Sequence, residues 1–92
     1  MMEKSFKVIA ENGIHARPAT NLVTLANRYK SDIWLMANQK TVDMKSIMGV
    51  MSLGIYRHAE FIVRTQGEDE SEAMDAITEL LIKDNLGLPL HE

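Results

Sequence analysis

Ninety-two residues suffice for one small domain, 1–92, whose single core buries roughly 60–65% of the unfolded chain's surface. Ten basic against thirteen acidic residues give a formal charge of −3, so there is no basic stripe to neutralise nucleic acid or an anionic membrane; other proteins and locally held small anions stay open as partners. The absence of cysteine, of any apolar run near the ~20 residues of a membrane span, and of a charged-then-apolar leader predicts a cytoplasmic protein.

Along the chain, Phe6, Val8 and Ala10 alternate with Ser5, Lys7 and Ile9, which predicts a short strand with one core face. From Ala16 the period lengthens. Ala19, Leu22, Val23, Ala26 and Tyr29 share one face of a helix expected to stop near Lys30 and Ser31. Ile33, Trp34, Leu35 and Met36 predict a second strand, turned at Asn38-Gln39 into a third over residues 40–43, because Asn tolerates positive φ. Ser46 reads as the N-cap of a short helix over about 47–53, with Gly54 as its stop. A fourth strand is predicted over 60–66, with Phe61, Val63 and Thr65 facing one way. The last helix starts at Asp69 as cap, with Glu70 in its first turn and Glu72 completing a capping box. Its stripe is Ala73, Met74, Ile77, Leu80 and Leu81, and Gly87 is expected to end it. The order βαββαβα predicts an α+β fold in which three helices cover one face of a four-stranded, mainly antiparallel sheet. Pattern alone does not give the strand order, and a ferredoxin-like arrangement shares the first six elements. Residues 88–92 are expected to fray as a flexible tail.

Chemistry concentrates in Gly13-Ile14-His15-Ala16-Arg17-Pro18-Ala19-Thr20. This run sets a histidine where a helix begins, and the first helical turn offers backbone N–H groups without partners, together with the positive end of the dipole. Pro18 fits that turn and supplies no N–H of its own. The donors nearest His15 are then Ala16 and Arg17, and the Arg17 guanidinium can grip phosphate oxygens bidentately. An imidazole that is neutral near pH 7 can attack phosphorus, which makes His15 a candidate phosphoacceptor. Neither a Ser–His–Asp set nor paired carboxylates can be assembled around it. His15, His58 and His91 are scattered, so no metal site is predicted. His58 belongs to a solvated Tyr56-Arg57-His58 loop, and His91 to the tail. At 100° per residue, Ile47, Met48 and Met51 lie on one side of the short helix and Val50 and Leu53 on the other. A helix this short buries only one of these faces. The methionine side, suited to several partners, is expected to be exposed.

The segment GIHARPAT, followed by Lys45-Ser46-Ile47-Met48-Gly49-Val50-Met51-Ser52-Leu53-Gly54, closely resembles the phosphocarrier protein HPr of the bacterial phosphotransferase system in its Gram-positive form, from about Ser5 to Gly87. The resemblance implies the HPr-like open-faced β-sandwich. It implies a phosphoryl carrier rather than an enzyme, with no cofactor: His15 takes a phosphoryl group through Nδ1 from phospho-enzyme I and passes it to IIA domains of sugar permeases. Arg17 and the Ala16 and Arg17 amides would hold the phosphate. Thr20, Ile47, Met48 and Met51 would form the docking surface. Ser46 would be phosphorylated by HPr kinase/phosphorylase, with catabolite control protein A as the partner in carbon catabolite repression. The working form is expected to be a monomer. Trp34 departs from the smaller or polar residue common at this position and is expected on the open sheet face.

Rival readings are a purely regulatory HPr homologue acting as corepressor, which would lack the acceptor histidine, and a nitrogen-branch phosphocarrier, against which the Lys45-Ser46-Ile47-Met48-Gly49 run speaks. An RNA-binding βαββαβ module would need a basic-aromatic run, and only Phe6, Trp34 and Phe61 are available on strands.

Overall fold

The structure, a computed structural model, describes residues 1–90; His91, assigned to the tail, lies outside the described residues with Glu92. The elements are β1 (Met2–Val8), α1 (Ala16–Ala26), β2 (Asp32–Ala37), β3 (Lys40–Asp43), α2 (Ile47–Met51), β4 (Glu60–Gln66), α3 (Glu70–Lys83) and β5 (Gly87–Pro89). They build an α+β sandwich whose five-stranded sheet has the order β3-β2-β4-β1-β5, with every neighbouring pair antiparallel.

The period-2 pattern decides which face is covered. Phe6 stands opposite Phe61 and Leu35 opposite Val63. These residues, with Val8 and Ile33, are buried beneath the apolar stripes of the helices: Ala19, Leu22 and Ala26 from α1, Val50 from α2, and Ala73, Met74, Ile77 and Leu81 from α3. The Phe6 and Phe61 rings stack with centroids 5.3 Å apart, a geometry that adds to their area burial. Trp34, Met36 and Ile62 point the other way and remain half-buried on the open face, as expected for Trp34. Asn38 and Gln39 both take positive φ, 52° and 65°, the paired left-handed geometry of a two-residue hairpin turn whose twist matches the strands.

Four expectations need correction. Residues 88–90, expected to fray, are ordered by a fifth strand. Asn85 at φ 55° closes α3 with bonds from its own amide to Ile82 O at 3.1 Å and from the Leu86 amide to Leu81 O at 2.9 Å. This is the double closure of a left-handed C-cap, so Asn85 and not Gly87 stops the helix. The reversed chain meets the free edge of β1, where Val8 pairs with Gly87 and Lys7 with Leu88, and the Leu90 amide reaches Ser5 O at 2.8 Å.

The second correction is that α1 ends at Ala26, about one turn before Lys30. The Asn27 side chain donates to Val23 O at 2.8 Å and to Lys45 O at 3.1 Å and turns the chain out of the helix. Tyr29 still packs against the core, which is why it kept the helical phase. Third, α2 closes at Met51, two residues before Leu53, where Ser52 donates its side chain to Gly49 O at 2.6 Å. Last, Asp69 does not cap α3 with its side chain. Its carboxylate instead accepts from the Lys30 and Ser31 amides, each at 2.9 Å, and from the Ser31 hydroxyl, pinning the α1–β2 connection to the start of α3. Glu70, rather than Glu72, bonds back to the preceding loop, at the Gly67 amide, 3.0 Å.

The Ser31 hydroxyl, followed by the Lys30 amide, lowers the Asp69 pKa from 3.8 to about 2. A carboxylate depressed in the folded state contributes stability that is in full force above its unfolded pKa and is lost as the pH falls through the folded value. Asp69→Asn should therefore lower the melting temperature at pH 7 and flatten the fall in stability between pH 4 and pH 2, as read by thermal unfolding across that range. An unchanged acid profile would remove Asp69 from the acid response.

Candidate functional site

The loop from β1 to α1 is fixed by backbone packing. Gly13 has φ +66°, and a Cβ there would sit 2.4 Å from the Ile55 carbonyl oxygen and 2.8 Å from Tyr56 Cα. Only glycine satisfies both the left-handed backbone and the space. The next amide, Ile14, donates to Ile55 O at 2.9 Å, and its side chain is buried. The chain then leaves the core in an extended step at His15, φ −92° and ψ −167°.

His15 is the N-cap residue of α1, yet its side chain makes no capping bond and is exposed. Its carbonyl accepts the first helical hydrogen bond, from Ala19 at 2.9 Å. The Ala16 and Arg17 amides precede that bond and have no intrahelical acceptor, and Pro18 has no amide to offer. With no acidic residue in its first turn, the positive end of the α1 dipole is left for an external anion. His15, Arg17, Pro18 and Asn21 help to line a depression of about 500 Å³, as do the carboxylates of Glu11 and Asp84. Sequence reasoning brought His15 and Arg17 together and missed the two carboxylates, since Asp84 arrives from the far end of α3. Thr20 is exposed one turn along, its hydroxyl donating to Ala16 O at 2.8 Å.

A second group forms around α2. Ser46 is its N-cap, accepting from the Gly49 amide at 3.1 Å, as its position predicted. The two sides of α2 separate as the angular sorting requires: Met48 is 80% exposed, with Ile47 and Met51 also exposed, whereas Val50 is 1% exposed and Leu53 is buried. Asn27, just past the end of α1, touches Lys45, and Ile55, just past α2, touches Ile14. The two helices therefore run in opposite directions. Ser46 lies at the far end of α1 from His15, about 16 Å away along the helix at 1.5 Å per residue. Tyr56, Arg57 and His58 form an exposed loop beside Gly13, His58 at φ 73°.

The fold is an open-faced α+β sandwich with an exposed imidazole, making no capping bond, at a helix N-terminus. The family model for the PTS HPr component phosphorylation site matches residues 2–83, and the chain belongs to the HPr family. Solved structures agree. The histidine-containing phosphocarrier protein of Mycoplasma superposes with a TM-score of 0.90 at 34% identity over 92% of this chain and 97% of that one. The phosphocarrier protein HPr of Bacillus anthracis gives 0.80 at 40% identity over 86% and 94%. The catabolite repression protein Crh of Bacillus subtilis, described as a domain-swapped dimer, gives 0.71 at 40% identity over 84% and 88%. The chain is thus a phosphocarrier of the phosphotransferase system, and among the described residues no helix is long and apolar enough to cross a membrane.

The clasp at Gly13 has a measurable cost of disturbance. Gly13→Ala should lose at least about 1–2 kcal/mol from the left-handed backbone alone, with more from the clash at Ile55. Denaturant unfolding checks the loss, and a shift of the His15 imidazole resonances checks that the acceptor has been displaced. Wild-type stability in this variant would mean that the loop is not anchored there.

Proposed function

We propose that His15 is the phosphoacceptor. Its imidazole, through Nδ1 by the family resemblance, attacks the phosphorus of phospho-enzyme I; the new N–P bond forms as the bond to the donor breaks and the donor atom takes back its electron pair. Reversal of the same exchange on a IIA domain of a sugar permease delivers the group. The observation that carries this reading is an exposed His15 side chain that caps nothing, at a helix start whose Ala16 and Arg17 amides are unspent. Those amides and the Arg17 guanidinium stabilise the negative oxygens as the group passes from donor to acceptor. The partners supply the rest of the catalysis, so the chain is a carrier and no enzyme. The working form proposed for the chain is a monomer.

Docking falls to Thr20, Ile47, Met48 and Met51. A phosphate placed on Ser46 by HPr kinase/phosphorylase brings a charge of about −1.5 to −2 beside that surface. His15 lies roughly two Debye lengths away at physiological ionic strength, so the added charge works on the encounter with enzyme I and not on the imidazole. Catabolite control protein A is the proposed reader of the Ser46-modified form. The alternative of a purely regulatory homologue draws on the likeness to Crh; the presence of His15 favours the carrier.

Incubation with enzyme I and labelled phosphoenolpyruvate should give an acid-labile, alkali-stable label on the wild-type chain. His15→Ala should take none while keeping its fold. Arg17→Ala should still be labelled, more slowly by roughly 10²-fold, the loss expected for one oxyanion donor. Equal labelling of the His15 variant would overturn the assignment.

A further inference from the structure

The last turn of α1 has no basic residue of its own, although a cation at a helix C-terminus is favourable. A cation is held instead just past that turn, on the segment that closes the helix. The Lys45 ammonium donates to Tyr29 O at 2.8 Å, while the Lys45 carbonyl accepts from the Asn27 side chain at 3.1 Å, and Asn27 in turn donates to Val23 O at 2.8 Å. Lys45 is thus tied by both ends to the segment that closes α1, and its side chain is half-buried in doing so. The residue that follows it is Ser46.

We propose that Lys45 is the switch through which charge on Ser46 reaches α1. A dianion on Ser46 draws the Lys45 ammonium from the Tyr29 carbonyl to its own oxygens, and the 27–29 segment that closes α1 loosens. Two comparisons of strength support the exchange. An ammonium bonds more strongly to an anionic oxygen than to a neutral carbonyl, and the four-carbon stem of lysine reorients at small cost beside the group that attracts it. The Asn27 bonds remain, so the loosening is local and the fold survives. Modification of Ser46 then changes the shape of the α1–α2 junction, and not only the charge of the docking face.

This inference rests on the reading of Ser46 as a modified residue, and its test is separable from that reading. Phosphoserine is installed at position 46 during synthesis, and backbone amide exchange is compared with the unmodified chain. The reporters are Asn27, Arg28 and Tyr29, whose amides bond to Val23, Leu25 and Ala26 carbonyls. Exchange at these sites should accelerate roughly tenfold to a hundredfold, the worth of one hydrogen bond from a charged donor. Lys45→Gln should show the acceleration without phosphate and gain nothing further from it. Should that variant fail to fold, the 15N shift of the Lys45 ammonium in the wild-type chain, with and without phosphoserine, reports the same change of partner. Unchanged exchange on phosphorylation, equal acceleration in the Lys45→Gln background, or an ammonium that keeps its shift would each overturn the proposal. The reading of Ser46 itself fails on a different result, namely no label on Ser46 from the kinase.

Discussion

With no Cβ at Gly13, the backbone of the β1–α1 loop lies directly against the Ile55 carbonyl and Tyr56 Cα, and the Ile14 amide closes a 2.9 Å bond on that same oxygen. Ile14 is thereby held in the core while the next residue is pushed out of it. His15 ends extended and exposed because its neighbour is anchored, and α1 can begin only at Ala16. The orientation of the first-turn amides, the exposure of the imidazole and the seating of Pro18 all depend on that contact.

The antiparallel course of α1 and α2 gives the second organising constraint. It places the two chemically interesting side chains at opposite ends of one helix, His15 where the dipole is positive and Ser46 near the end that is negative. A charge on Ser46 can therefore influence transfer only through the surface between them or through the junction at Asn27 and Lys45. Met48 and Met51 are exposed there, and unbranched, polarizable side chains suit the docking surface proposed above.

Much of this was legible in the sequence because it is local. The 60–66 strand, the Asn38-Gln39 turn, the Ser46 cap and the division of α2 into a buried and an exposed side all follow from periodicity and capping rules that act within a few residues. What was missed depends on partners far along the chain. Residues 88–90 gave no strand signal, with Pro89 speaking against one, and are ordered only because β1 has a free edge. Asp69 looked like a cap until Lys30 and Ser31, nearly forty positions away, supplied its donors. Tyr29 kept the phase of the α1 stripe although the helix had already ended, since burial and helicity are separate properties. Asp84 could not be placed beside His15 without knowing how α3 crosses the sheet. The His-Ala-Arg-Pro segment was readable as a helix start, because Pro18 fits a first helical turn.

The central claim is that the opening turn of α1 is the cradle for a phosphoryl group on His15. It is tested most directly by recording the amide proton shifts of Ala16 and Arg17 before and after phosphorylation by enzyme I. The account predicts that both move downfield and exchange more slowly, as expected for N–H groups newly bonded to an anionic oxygen. Unmoved Ala16 and Arg17 amides in a fully phosphorylated protein would contradict it.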